Sequence, residues 1–106
     1  MHSVTSNAVS EIIKNLTIYK IWGTLSDYDT QDVTLTGGYT YLFINTHVFA
    51  VEIIMFSLYG GNVTQAARLT GAQVTTITGI GENAIRLTSN GACRGSIFKI
   101  GNTAGT

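Results

Sequence analysis

The chain has 106 residues, of which 44% are hydrophobic, and six basic and six acidic residues give a formal net charge of zero at pH 7. Its 11% of charged residues lies well below the roughly 25% typical of soluble domains, and uncharged polar residues, among them sixteen Thr and twelve Gly, take their place. One domain fits this length, and the absence of a basic cluster excludes nucleic acid as an expected partner.

The first regular segment of the sequence is helical. Val9, Ile12, Ile13 and Leu16 fall at i, i+3, i+4 and i+7, which places them on one face of an amphipathic helix. We predict this helix within residues 1–16. Because so short a helix is marginal alone in water, the apolar stripe must dock. It can pack on the chain's own β domain or in a parallel bundle with other copies, and the bundle is the preferred hypothesis.

Residues 17–106 are predicted to form a β head domain. Strands are expected at 18–22, 33–36, 39–45, 47–59, 73–78, 84–88 and 93–100, whereas 63–69 suits either a helical turn or an edge strand. In the first strand, Ile18, Lys20 and Trp22 should share one face. Gly/Asn turns separate the strands, and a hairpin is expected at 89–91. The predicted fold is mainly β: the short helix followed by an antiparallel sandwich of seven or eight strands, of jelly-roll type.

Catalytic and metal motifs are missing from the sequence. His2 and His47 are the only histidines, and each is better explained by a terminal or strand-end position than by catalysis. Cys93 is the single cysteine and is expected to be a small buried side chain. One Cys with two distant His does not make a zinc site. We therefore predict no catalytic residue, no metal and no cofactor.

The most acidic stretch, residues 26–32, superficially suggests a calcium loop. It lacks the central glycine and distal glutamate of an EF-hand, so a solvated surface loop is expected. Glu52 stands in a strongly apolar run. A bulge, a salt bridge or a subunit contact accounts for a buried acid there more simply than catalysis does.

Aromatic side chains remain as candidates for ligand binding, because their flat faces and polar edges can stack on sugar rings. Core packing is expected for each of them by default, except for Tyr28, which lies in the polar loop. Together with two acids of that loop they make the candidate ligand-binding set: Trp22, Asp27, Tyr28, Asp29, Tyr39 and Tyr59.

The run SVTSNAV from Ser3 to Val9, with the helix after it, resembles the lead-in of bacteriophage tail-fibre and receptor-binding proteins, often from gut phages and prophages. The final run, residues 96–101, resembles the last strand of such heads. The resemblance implies a homotrimer that is made in the bacterial cytoplasm, is carried on the virion as part of the tail, and binds a bacterial surface polysaccharide. Met1 without a preceding shaft suggests a fragment or a small standalone reading frame.

Three functions follow from these patterns. The first is a non-enzymatic fibre tip whose heads bind a glycan, without membrane insertion. The second is a purely structural trimerisation or adaptor domain. The third is a small glycan hydrolase at a subunit boundary, built from carboxylates such as Glu52 and Asp29.

Overall fold

A computed structural model of the chain describes residues 16–70 and 73–102. Within these residues the chain forms eight β-strands, arranged in two antiparallel sheets, and no helix. The mainly β, antiparallel architecture agrees with the sequence prediction. The predicted N-terminal helix lies outside the described residues, except that Leu16 is already the first residue of a strand.

The strands follow one another with short connections: β1 Leu16–Leu25, β2 Thr30–Thr34, β3 Tyr39–Asn45, β4 Glu52–Tyr59, β5 Asn62–Thr70, β6 Thr75–Gly81, β7 Ala84–Ser89 and β8 Gly95–Asn102. One sheet has five strands in the order β1-β8-β3-β4-β5, and the other has three in the order β2-β7-β6. The segment from 62 to 70, which the sequence left ambiguous, is an edge strand.

One apolar core lies between the two sheets. Alternation along β4 sends Ile54, Phe56 and Leu58 inward, and all three are fully buried. Strand β7 supplies Ile85 and Leu87 from the opposite sheet, and these belong to the same buried cluster. The alternation of buried and more exposed residues along β4 and β7, together with a shared core, makes the arrangement sandwich-like.

A bulge in β1 changes the predicted face of Trp22. Lys20 pairs with Phe98, but the next pair joins Trp22 to Ile97, so one residue of β1 has no separate partner. An extra residue reverses the alternation beyond it. Trp22 therefore packs against the buried core instead of sharing a face with Lys20, as the simple alternation had predicted.

The apolar run predicted as one strand from 47 to 59 is interrupted. The Asn45 side chain accepts a hydrogen bond from the His47 backbone N–H, and the Ala50 N–H donates to the His47 carbonyl. These bonds close a tight turn, so the strand begins only at Glu52. Val48 and Phe49 project from this turn and are 78% and 84% exposed.

The Asn-Gly turn at 89–91 does not form a hairpin. Strand β7 pairs with β2 and β6, whereas β8 pairs with β1 and β3, so residues 90–94 cross from one sheet to the other. Cys93 lies buried on this crossing, as predicted. The part of the chain described by the structure contains no helix long and apolar enough to cross a membrane.

Candidate functional site

Three connections meet at one end of the sandwich and enclose an open cleft of about 340 Å³. They are the β2–β3 loop, the β4–β5 turn and the β6–β7 turn. We call this the turn cleft, and its lining residues are Gly37, Gly38, Tyr59, Gly60, Glu82 and Asn83.

The turn cleft is held by hydrogen bonds between the β2–β3 loop and the β6–β7 turn. Asn83 accepts the Leu35 N–H at its carbonyl and the Gly37 N–H at its side-chain oxygen, both at 2.8 Å. The Gly38 N–H donates to the carbonyl of Leu58 on β4. These bonds join both sheets at this end, and all of their atoms except the Asn83 side-chain oxygen belong to the backbone.

Glycines allow the turns to approach closely. Gly38 and Gly60 have φ values of +88° and +58°, which other residues adopt only with strain. At Gly79 on β6, an added Cβ would collide with the carbonyl oxygen of Gly61 in the β4–β5 turn. Gly37, Gly38 and Gly60 therefore contribute only backbone atoms to the lining of the turn cleft.

Tyr59 gives the turn cleft its apolar surface. It is the last residue of β4 and is 79% exposed, contrary to the core position expected for it by default. The Glu82 carboxylate is a hydrogen-bond acceptor, and the Asn83 amide still has donor capacity at its nitrogen, since Gly37 uses only the oxygen. An exposed ring beside one acceptor and one donor suits a sugar, whose C–H face stacks on an aromatic ring while its hydroxyls both donate and accept.

Tyr39 lies on β3 directly after Gly38 of the turn cleft. Its ring is covered on one face by Lys99 of β8, whose Nζ lies 4.0 Å from the ring centroid. Lys99 pairs with Tyr19 on the neighbouring strand, and Tyr19 and Tyr39 are both close to half exposed. Two of the six predicted ligand residues, Tyr39 and Tyr59, are thus at this end of the molecule.

Three other predicted ligand residues lie at the opposite end, in the loop between β1 and β2. Asp27 accepts the Cys93 N–H at 2.8 Å, which ties this loop to the crossing between the sheets. Asp29 accepts hydrogen bonds from the Thr30 N–H and the Gln31 side chain, and the latter bond lowers the pKa of Asp29. Tyr28 is 78% exposed, as expected for a polar loop.

Glu52 lies at this same opposite end and is fully buried. Its carboxylate forms a salt bridge with Arg68 at 2.6 Å and accepts further bonds from Asn45 and from both the N–H and the hydroxyl of Thr75. The explanation by a salt bridge, one of those offered by the sequence, is therefore confirmed. Thr75 begins β6, so this carboxylate fastens the two sheets together.

No grouping of three or more His, Cys, Asp or Glu side chains suited to a metal ion occurs within residues 16–70 and 73–102. The turn cleft contributes a single carboxylate, Glu82, to its lining. Glycosidic hydrolysis ordinarily uses two facing carboxyl groups. The side chains that line the cleft can stack on a ligand and form hydrogen bonds with it.

The sequence-based ligand set included Tyr59 but not Asn83 or Glu82, which was considered only as one of several candidate carboxylates. Both follow Gly81 in a turn, and their sequence context is that of any polar turn. Only the pairing of β6 with β7, which closes that turn beside the Gly60 turn, brings them to Tyr59. Because these segments are far apart in the sequence, no local pattern predicts that they meet.

The fold and the turn cleft together define a sandwich-like β domain with a small open site of aromatic and polar character. No protein-family model, curated protein or solved structure matches the chain. The functional argument therefore depends on the site itself and on the sequence patterns.

Proposed function

We propose that this chain is the head of a phage tail fibre, a binding module that assembles as a homotrimer and recognises a neutral bacterial surface glycan in the turn cleft. The observation that carries the proposal is the exposed Tyr59 ring beside Glu82 and Asn83 on a glycine backbone floor. An exposed aromatic ring costs solvation free energy in the free protein, and a stacked sugar would recover it.

The charge of the molecule supports a neutral ligand. The chain has no net charge, and the turn cleft has one acidic and no basic side chain in its lining. Phosphate-rich or strongly acidic polymers would meet no complementary field there. A polysaccharide with free hydroxyls is the ligand class that uses all three functional groups of the cleft.

The homotrimer and its place on the virion rest on sequence. The SVTSNAV run and the apolar stripe of Val9, Ile12 and Ile13 are the support, through the resemblance to tail-fibre lead-ins. Residues 17–106 would then be the head, with the remaining tail proteins as partners.

We infer that the sandwich is a variant jelly roll. In support, β1 pairs with β8, β2 with β7 and β4 with β5, the nested pairing produced when one long hairpin is wound into two sheets. The remaining nested pair would be β3 with β6. It is replaced here, since β3 pairs with β4 and β6 pairs with β7.

The test is a glycan array probed with the full chain, followed by calorimetry on each hit. Tyr59→Ala should weaken binding by about fivefold or more, because aromatic contacts of this kind contribute roughly 1 kcal/mol or more. Tyr28→Ala is the matched control, since Tyr28 is equally exposed at the opposite end. Loss of binding in Tyr28→Ala alone would move the site to the β1–β2 loop and overturn the assignment to the turn cleft.

Two other functions have weaker support. A purely structural trimerisation domain would give a stable trimer without a reproducible glycan hit. A hydrolase using Glu52 and Asp29 has little geometric support, because Glu52 is buried and salt-bridged while Asp29 binds its own loop.

A further inference from the structure

The outward side of the five-stranded sheet is mainly apolar, although Thr40, Ser57, Thr64 and Ser96 also lie on it. Strand pairing identifies the residues on this side: Leu42 pairs with Phe98 on one neighbour and with Met55 on the other. We call this surface the outer face and define it by Ile18, Leu42, Ile44, Ile53, Met55, Leu69, Phe98 and Ile100.

The outer face is unlike the corresponding side of the three-stranded sheet. That side carries Thr76, Thr78 and the exposed ion pair of Asp32 with Arg86. On the outer face, by contrast, Lys20 is the only charged side chain among the described residues. A single molecule thus has one polar and one apolar exterior, and only the polar one suits permanent contact with water.

Solvent reaches the apolar exterior. Leu69 is 72% exposed, Ile18 is 55% exposed and Met55 is 36% exposed. Leu42 and Phe98, nearer the middle of the sheet, are half-buried by their neighbours. An apolar surface that crosses all five strands is typical of an interface between proteins.

We propose that the occupant of the outer face is a second copy of this chain, so that three outer faces surround one common apolar core. This inference rests on the proposed homotrimer and names the surface through which its heads associate. The contact between copies would then involve the five-stranded sheet as well as the N-terminal segment.

The size of the outer face favours a copy over the chain's own N-terminal segment. Five strands spaced about 4.8 Å apart span about 19 Å between the two edge strands. A helix is only about 10 Å wide, so a short helix would cover about two strands. Its few apolar residues would leave most of the outer face in water.

The same width is compatible with threefold assembly. Three flat sheets about 19 Å wide form a triangular prism whose sides lie about 5.5 Å from its axis, whereas packed sheets each lie about 5 Å from their common midplane. Side chains of Leu, Phe and Met size fill that distance. Because β1 begins at Leu16, the last residue of the segment predicted as a helix, a parallel bundle of that segment would keep the three sheets close together.

The experiment is the solution mass of the full chain by light scattering over a range of concentrations. Wild type should show three times the 11.3 kDa chain mass. Met55→Glu and Leu69→Glu each place a charge in the common core and should raise the concentration for half-association at least tenfold. Thr76→Glu, on the polar exterior, should leave the mass unchanged.

Other outcomes would overturn the proposal. If the trimer persists in both outer-face variants but dissociates in Ile12→Asp, the proposed sheet interface is wrong and the proposed homotrimer stands. If the wild-type chain is monomeric, both the sheet interface and the homotrimer are wrong. Glycan binding is tested separately with Tyr59→Ala. Circular dichroism checks folding, and if Met55→Glu unfolds, Leu69→Glu decides, because its side chain is largely exposed on an edge strand.

Discussion

Arg68 Nη1 lies 2.6 Å from Oε2 of Glu52, and the Glu52 carboxylate is fully buried while the Arg68 side chain keeps 18% of its surface exposed. Arg68 also donates to the Thr75 carbonyl at 3.1 Å. One arginine thus neutralises a buried acid on the five-stranded sheet and reaches a strand of the other sheet.

Loss of this arginine should destabilise the fold severely. Arg68→Met leaves an uncompensated carboxylate in the interior, and we expect the free energy of unfolding to fall by about 3 kcal/mol. Urea denaturation at neutral pH measures it. Arg86→Met is the control, because it removes a 2.8 Å ion pair with Asp32 that is exposed to water, and the stability of this variant should change little. Equal effects in the two variants would contradict this account of Glu52.

The contact between Gly79 and the β4–β5 turn predicts a second pair of variants. Gly79→Ala forces its Cβ against the Gly61 carbonyl and should cost about 1 to 3 kcal/mol, as overpacking does. Because that turn carries Tyr59 into the turn cleft, glycan affinity should fall as well. Gly81→Ala, whose Cβ would meet only the Ala84 methyl at 3.8 Å, should keep both properties. If Gly79→Ala keeps wild-type stability and glycan affinity, the β4–β5 turn can shift without affecting either property.

Tyr41 should make stability sensitive to alkaline pH. Its hydroxyl donates to the Thr36 carbonyl at 2.6 Å, and burial raises the pKa of Tyr41 above the ordinary 10.0. Since the fold favours the neutral phenol, this contribution is complete below about pH 10 and is lost as the pH rises through the raised pKa.

Tyr41→Phe tests that contribution. The variant should lose about 1 kcal/mol at pH 8 by removing a buried hydrogen bond, and its stability should then fall less steeply than that of wild type above about pH 10. Denaturation curves at several alkaline pH values give both slopes. Parallel slopes would show that Tyr41 does not couple ionisation to folding.

Cys93 should be protected from thiol reagents in the folded protein. Burial raises the pKa of the Cys93 thiol, so the reactive thiolate is scarce as well as covered. We expect labelling at least about 100-fold slower in buffer than in urea, because reaction must wait for local opening. As the chain has one cysteine, absorbance of the released chromophore reports this site alone. Similar rates in the two solvents would place the thiol at the surface.

The fold was predictable where local patterns decide it. Strand β3 begins and ends at the predicted residues, because alternation and flanking turns define it. The errors arise from side-chain hydrogen bonds and a bulge, which the alternation of apolar residues does not reveal. The Asn45 side chain accepts N–H bonds from both His47 and Arg94, and those bonds make a turn from a run that is otherwise strand-forming.

The turn cleft was less predictable than the fold. Tyr59 was a candidate because an aromatic ring is recognisable in any sequence, but its exposure depends on where β4 ends relative to its neighbours. Trp22 was placed on the wrong face because a bulge has no reliable local signature. The strand pairing that places Tyr28 and Tyr59 at opposite ends of the sandwich is a property of the whole chain.

The pairing of β1 with β8 also has a consequence for synthesis on the ribosome. Among the described strands β1 pairs only with β8, so β1 cannot join the five-stranded sheet until β8 has been synthesised. Pairings so distant in sequence form slowly and leave apolar strands uncovered meanwhile. Coexpression with a chaperone should therefore increase the yield of native protein, and a chain truncated before Gly95 should accumulate in aggregates.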